Sequence, residues 1–345
     1  MRKLNLFLVS IGFIVSTFIF TGCNKQKNLY IYCWTYYIPD SVIELFEKEY
    51  NVNVKIDNYA SNEEMFAKIT AGATGYDVIF PSQDYVSIMM RRNMLQKIDM
   101  DKFNNKKYIS DLVLSKALYD PNMEYSVPYY MGSSGVIVNK EKVPEYEKSW
   151  SIFARKDLAN RMSMLDDMRE VMGDALVYNG YSVNSLDPVG LKKAEDTIVN
   201  EWKPNLVKFD AEGYAKSFAS GDFYVVQGYA ESIYEEVPES KWDTIDFFVP
   251  KEGGTMYIDS MCIPKTAPHY DLAMEFINFI HNPKIYAAFC DEFSFPPATN
   301  TGAAKYMTVE PLYTIEDMKN CEIMEDISEN LDVYNAIWQR IRYTR

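Results

Sequence analysis

The chain has 345 residues, 48% hydrophobic and 24% charged, enough to bury two ordinary cores and too many for one compact unit, so two lobes are expected. Its 35 Lys and Arg stand against 49 Asp and Glu, and the net charge of −14 argues against a nucleic-acid partner, which needs a basic face, and favours cationic or neutral ligands. Two His and five Cys fall at spacings that match no zinc, haem or redox motif, so no metal or cofactor is expected and Cys/His catalysis is a poor candidate.

Arg2 and Lys3 precede an apolar run from Leu4 to Phe20 that no acid interrupts, which is the pattern of an export signal. The run ends Phe20-Thr21-Gly22-Cys23, similar to the bacterial lipobox, in which small residues precede a cysteine that is lipidated and becomes the mature N-terminus. Residues 1–22 are therefore expected to be a lipoprotein signal peptide, Cys23 the lipidation site, and 23–28 a polar tether. An uncleaved anchor or a plain secretory signal is the less favoured reading. Of the other cysteines, Cys33 and Cys262 lie in apolar strand-like runs and suit buried thiols, while pairing of Cys290 with Cys321 stays open.

The first strand is expected over Leu29–Trp34, with a helix opening at Pro39-Asp40-Ser41 and carrying Val42, Ile43, Leu45 and Phe46 on one face. Val52, Val54 and Ile56 alternate with polar residues as a second strand, and Ser61-Asn62-Glu63-Glu64 has the form of a capping box that starts the next helix. Residues 76–80 predict a short buried strand stopped by Pro81, followed by a helix from about Asp84 to Arg92. Repeated strand-helix units imply a mainly parallel sheet, whose ligands sit at the carboxyl ends of strands, where the Trp34/Thr35 and Ser82/Asp84 segments fall.

Gly132-Ser133-Ser134-Gly135 can absorb backbone rotation and suits a crossing between lobes. A second α/β block follows. It has strands near Met162–Leu165, Leu206–Phe209 and Phe223–Gln227, and helices from Asp167, near Leu191–Trp202 and near Tyr214–Ala219. Lys251-Glu252-Gly253-Gly254 breaks the chain before Thr255–Ile263, a candidate return crossing, and the last third is mostly helical, as at Ala273–Ile280 and Val333–Ile341.

Three segments put a carboxylate beside aromatic or polar groups at an element boundary: Ser82-Gln83-Asp84-Tyr85, Asp166 to Glu170, and Tyr257-Ile258-Asp259-Ser260. Taken singly, each has a structural role open to it, since Asp84 and Asp167 suit helix N-caps, Glu170 the third position of a capping box, and Asp259 a strand end. Together with Trp34, Tyr37, Tyr229 and Tyr257 they offer anions and π-faces, as an extended organic cation requires. Tyr is abundant, at 27 residues, and has the flat apolar face and polar tip for such a ligand. An ammonium over an aromatic face gains about 0.5–2 kcal/mol.

The segments Cys33 to Pro39, Ser61 to Lys68, Pro81-Ser82, Asp166 to Val171, and Lys251 to Gly254 through Asp259 to Pro264 resemble the spermidine/putrescine-binding lipoproteins of polyamine ABC importers, in the family's order and spacing. The resemblance runs from about Leu29 to the C-terminus. It implies a two-lobed α/β periplasmic-binding-protein fold of type II, each lobe a mixed, mainly parallel sheet flanked by helices, with the ligand cleft between lobes that close by hinge motion. The expected lobes are 29–131 with 259–303, and 132–258 with 304–345.

By that resemblance Trp34, Thr35, Tyr37, Ser82 and Tyr85 line one lobe, Asp167 and Glu170 hold an amino group from the other, and Asp259 takes a second beside Tyr257. Tyr229 and Tyr257 stand where the family often has tryptophan, Phe295 where a tyrosine hydroxyl is common, Met324 near a family glutamine, and Asp84 where an aromatic is usual. The implied function is capture of putrescine or spermidine outside the cytoplasm, in the periplasm or at the cell surface. A monomer tethered to the membrane by lipid would deliver it to a permease driven by a separate ATPase. The alternatives are a binder of the same fold for sugar, thiamine or ferric iron, for which Tyr36-Tyr37 and Tyr129-Tyr130 are weak ligand pairs, and an exported carboxylate-based hydrolase, for which no nucleophile motif is present.

Overall fold

Alternation along the first strand decides how the first sheet is buried. In β1 (Lys27–Trp34), Leu29, Ile31 and Cys33 join one apolar cluster and Tyr32 joins another on the opposite face, so the strand is covered on both sides. The structure is a computed structural model that describes residues 27–343 apart from Tyr36 and Ala60. The expected signal peptide, the expected lipidation site Cys23 and the start of the expected tether lie outside the described residues.

Strands β2 (Val52–Tyr59) and β3 (Val78–Ile79) flank β1 in parallel, with Ile31 opposite both Ile56 and Val78. The helices Asp40–Tyr50 and Asn62–Thr70 begin where the sequence predicts, and the Ser61 side chain caps the second by accepting from the Glu64 amide at 3.2 Å. After the helix Gln83–Arg91 the chain reaches β4 (Ser126–Ser133), buried along its whole length, and only Ser134 separates it from β5 (Gly135–Asn139) in the second sheet.

That sheet is completed by β6 (Met162–Met164), β7 (Leu206–Phe209), β8 (Val225–Gly228) and β9 (Ile245–Phe248), in the order β7-β6-β8-β5-β9. Strand β10 (Thr255–Cys262) then returns to the first sheet, and β11 (Glu322–Ile323) adds to its edge, giving β11-β10-β3-β1-β2 with β4 also on β10. Among the described strands every antiparallel pair contains β5 or β10, and all other pairs are parallel. These are the strands by which the chain enters the second sheet and re-enters the first. The parallel strands belong to the strand-helix units, whose crossovers return the chain in the same direction.

The register of β10 on β4 slips between Asp259 and Ser260, from Asp259 opposite Tyr130 to Ser260 opposite Pro128. Pro128 has no amide hydrogen to give the ladder, and Ser260 donates instead to the Pro81 carbonyl at 3.0 Å while Asp259 forms an isolated bridge with Ser82. The bulge therefore ties β10 to the segment that precedes the helix Gln83–Arg91.

The helices Tyr270–Ile280 and Pro283–Phe293 supply Phe276, Ile277, Tyr286 and Phe289 to the first sheet's core, whereas Leu331–Tyr343 packs Tyr334, Ile337, Trp338 and Ile341 into the second's. Cys290 and Cys321 are both free and buried in different clusters, which removes the open disulfide. Among the described residues no helix is long and apolar enough to cross a membrane. The N-cap role left open for Asp84 is not taken, because the helix begins at Gln83 after Ser82, placing Asp84 inside the first turn.

Candidate functional site

A cleft of about 640 Å³ opens at the carboxyl ends of β1, β3, β6 and β8 and along β10. From the first sheet come Trp34, Tyr37, Ser82, Asp84, Tyr85, Tyr257 and Asp259; from the second, Asp167, Glu170 and Tyr229, with Met324 from beyond β11.

Asp259 is only 4% exposed, and each of its oxygens is already gripped: the Tyr37 hydroxyl donates to Oδ2 and the Ser82 hydroxyl to Oδ1, both at 2.5 Å. Ser82 is itself oriented by Asn62, whose Nδ2 donates to the serine Oγ at 2.9 Å and whose Oδ1 accepts from the serine amide at 3.1 Å. Burial pushes the Asp259 carboxyl up to about 6 against the downward pull of these two hydroxyls. Aromatic rings wall this end. The Trp34 indole donates to the Phe80 carbonyl at 3.0 Å and packs against Tyr59 at 4.8 Å, and Tyr37 meets Tyr129 edge-on at 5.1 Å.

On the second sheet Asp167 caps the helix Met168–Tyr178, accepting from the amides of Arg169 at 2.8 Å and Glu170 at 3.1 Å. Glu170, at the third position of that helix, is buried and accepts from the hydroxyls of Ser134 at 2.7 Å, Tyr229 at 3.2 Å and Thr255. Ser134 and Thr255 are residues of the two crossings, so the chain's passage between sheets is bonded to this carboxylate. Burial and the nearby Asp167 push Glu170 upward, and behind it the fully buried Asp174 accepts from the Thr255 amide at 3.3 Å and from Gln227.

Tyr229 and Tyr257 meet edge-on at 6.0 Å, and Tyr257 lies so close to Gly132 that a Cβ there would sit 2.7 Å from its hydroxyl. Tyr85 lines the cleft and donates to Glu63 at 2.9 Å. Half-buried Asp84 is pushed up to about 6 by burial, with the Arg169 charge opposing. The Met324 carbonyl accepts from Gln83 Nε2 at 2.8 Å, while Gln83 Oε1 accepts from the Ile258 amide at 2.9 Å, so one buried glutamine fixes two walls.

Two residues named from the sequence lie elsewhere. Thr35 is exposed and outside the cleft lining. Phe295, with no polar atom to offer, is 3% exposed in the first core and stacks on Tyr130 at 4.1 Å, behind the wall rather than on it. The sequence reading missed Asn62, Gln83 and Arg169 as lining residues and left Glu231 unassigned; Glu231 lines the cleft beside Tyr229. All three residues fall inside segments already singled out, but nothing local marks the bridging role of Gln83, whose partners are 175 and 241 positions away. Among the described residues no group of His, Cys, Asp and Glu could hold a metal ion.

The profile of the bacterial extracellular solute-binding protein family matches residues 41–313. The spermidine/putrescine-binding periplasmic protein of Escherichia coli K12 is 30% identical over 353 residues, spanning 100% of both chains. That of Haemophilus influenzae (protein 1) is also 30% identical, covering 97% of this chain and 98% of its own. Among solved structures, the lipoprotein Tp0655 (TpPotD) of Treponema pallidum superposes with a TM-score of 0.90 at 51% identity, over 92% of this chain and 100% of the other. The spermidine/putrescine transporter substrate-binding protein of Streptococcus pneumoniae gives 0.83 at 26% identity, over 92% and 98%.

Proposed function

The chain belongs to the bacterial extracellular solute-binding protein family, and from that premise we propose that it captures a linear polyamine, putrescine or spermidine, for an ABC importer. The observation that carries the reading is the pair of pre-positioned carboxylates, Asp259 on the first sheet and Glu170 on the second, at an aromatic-walled cleft. The family binds solutes, and the chain is a binder and not an enzyme.

The negative chain steers a cation of charge +2 or +3 toward the cleft. One ammonium replaces its water with Asp259, Tyr37 and Ser82 around it, and another does so at Glu170 beside Asp167 and Tyr229. The methylenes lie on Trp34 and Tyr257, with Tyr85, Asp84 and Met324 along the remaining wall. Because the two carboxylates stand on different sheets, a ligand that bridges them binds the closed arrangement better than the open one, which is the condition for closure. Ser134 and Thr255, bonded to Glu170, lie where the chain bends between the lobes. The closed form is then delivered by a lipid-anchored monomer, held through Cys23, to a permease and its ATPase.

Calorimetric titration against putrescine, cadaverine, spermidine and spermine, with a sugar, thiamine, ferric ion and a free amino acid as controls, tests the reading. Saturable binding of one or more polyamines and none of the controls is expected. Binding of a control in place of every polyamine would overturn it.

A further inference from the structure

Nearly every carboxylate lining the cleft has a partner inside the protein. Tyr85 donates to Glu63, Arg342 pairs with Asp166 at 3.3 Å, Arg91 pairs with Asp326, main-chain amides serve Asp84 and Asp167, and hydroxyls serve Glu170 and Asp259. Glu231 is different. It lies in the first turn of the helix Ala230–Glu236, two residues past Tyr229, and among the described residues its carboxylate has only its own main-chain amide. Glu231 is half-buried, and the groups that feel its charge are the phenols of Tyr257, Tyr313, Tyr130 and Tyr214, which carry no positive charge.

Removing an ionised carboxylate from water against aromatic rings costs free energy unless a cation arrives with it. The protein supplies none, whereas the adjoining faces of Tyr229 and Tyr257 suit the methylenes on either side of an ammonium. Two ammonium groups already have seats at Asp259 and Glu170 in the function proposed above, on which this step rests. We propose that Glu231 is the seat of a third ammonium and sets the preference of the cleft for a triamine over a diamine. Burial holds its carboxyl up to about 7 in the empty cleft, consistent with a group waiting for a counter-charge.

Titration of the purified processed protein and of Glu231→Gln with spermidine and with putrescine at pH 8, where the carboxylate is ionised, tests this. Spermidine affinity is expected to fall about tenfold or more in the variant, and putrescine affinity by less, so that the ratio of the two dissociation constants shifts. Should Glu231→Gln fail to fold, Glu231→Asp, which keeps the charge but withdraws it by one methylene, must shift the ratio in the same direction. An unchanged ratio in a folded variant overturns the assignment of Glu231 while leaving polyamine capture intact. Absence of polyamine binding by the unsubstituted protein removes both.

Discussion

The hydroxyl of Tyr37 donates to Oδ2 of Asp259 at 2.5 Å across 222 residues of sequence, joining the loop after β1 to β10 at the point where its register on β4 slips. With Ser82 on the other oxygen, the carboxylate is held before any ligand arrives, so this side chain adds little ordering cost at binding. Asp259→Asn leaves one of these two donors without an acceptor and removes the charge. Polyamine affinity is expected to fall by about 2–5 kcal/mol by calorimetry. Near-unchanged binding would take Asp259 out of the site.

Asp84 separates binding from folding. Since Ser82 holds the cap position and Asp84 lies within the first turn, Asp84→Asn removes no cap, and the helix-end attraction it loses is offset by relief of the cost of burying its charge. Polyamine affinity should drop by more than about 1 kcal/mol, with denaturant stability nearly unchanged. A variant with equal affinity for both polyamines to that of the parent would leave Asp84 no part in the cleft.

Protons and polyamine compete. In the empty cleft Asp84 and Asp259 titrate at about 6 and Glu231 at about 7, all raised by burial. An ammonium binds the ionised forms, so affinity should climb from pH 5 to about pH 7.5 and then level, with protons released on binding. The folding sign is the opposite. A carboxyl whose folded pKa is raised contributes stability that is complete below its unfolded value near 4 and is lost as pH rises through the folded value. The ligand-free protein should therefore lose these contributions between about pH 4 and 7.5, and the stabilisation by ligand should grow over the same range. Calorimetry at pH 6 in buffers of different ionisation enthalpy reads the release directly, and identical heats in all buffers would disprove it.

Gly253 carries a backbone demand of the return crossing. Its φ is +89°, and a Cβ there would come within 2.1 Å of the Asn320 carbonyl oxygen. Gly253→Ala should destabilise the fold by about 1–3 kcal/mol or more in chemical denaturation, and a stability equal to the parent's would show that the turn can relax.

At the other end of the chain, mass spectrometry of the native protein should find lipid on Cys23 and no residues before it. An unmodified Cys23 or an intact segment 1–22 would exclude the anchor.

Much of the framework was legible because its signals are local. The alternation of Leu29, Ile31 and Cys33, the capping hydroxyl of Ser61, the Asp167 cap with Glu170 three positions on, and the small residues from Gly132 to Gly135 act through hydrogen bonds and side-chain periodicity within one or two turns. The Asn282-Pro283 start of the helix Pro283–Phe293 is equally local, with Asn282 accepting from the Lys284 amide at 3.0 Å. What tertiary structure decided is which of these residues share a space. Pro128, lacking an amide hydrogen, lets β10 slip at Asp259 and bond to Pro81 and Ser82. Phe295 stacks into the core rather than facing the ligand, and Glu231 enters the cleft without a counter-ion. Those outcomes depend on strand register and on burial between segments distant in sequence, and a pattern of neighbours along the chain carries no term for either.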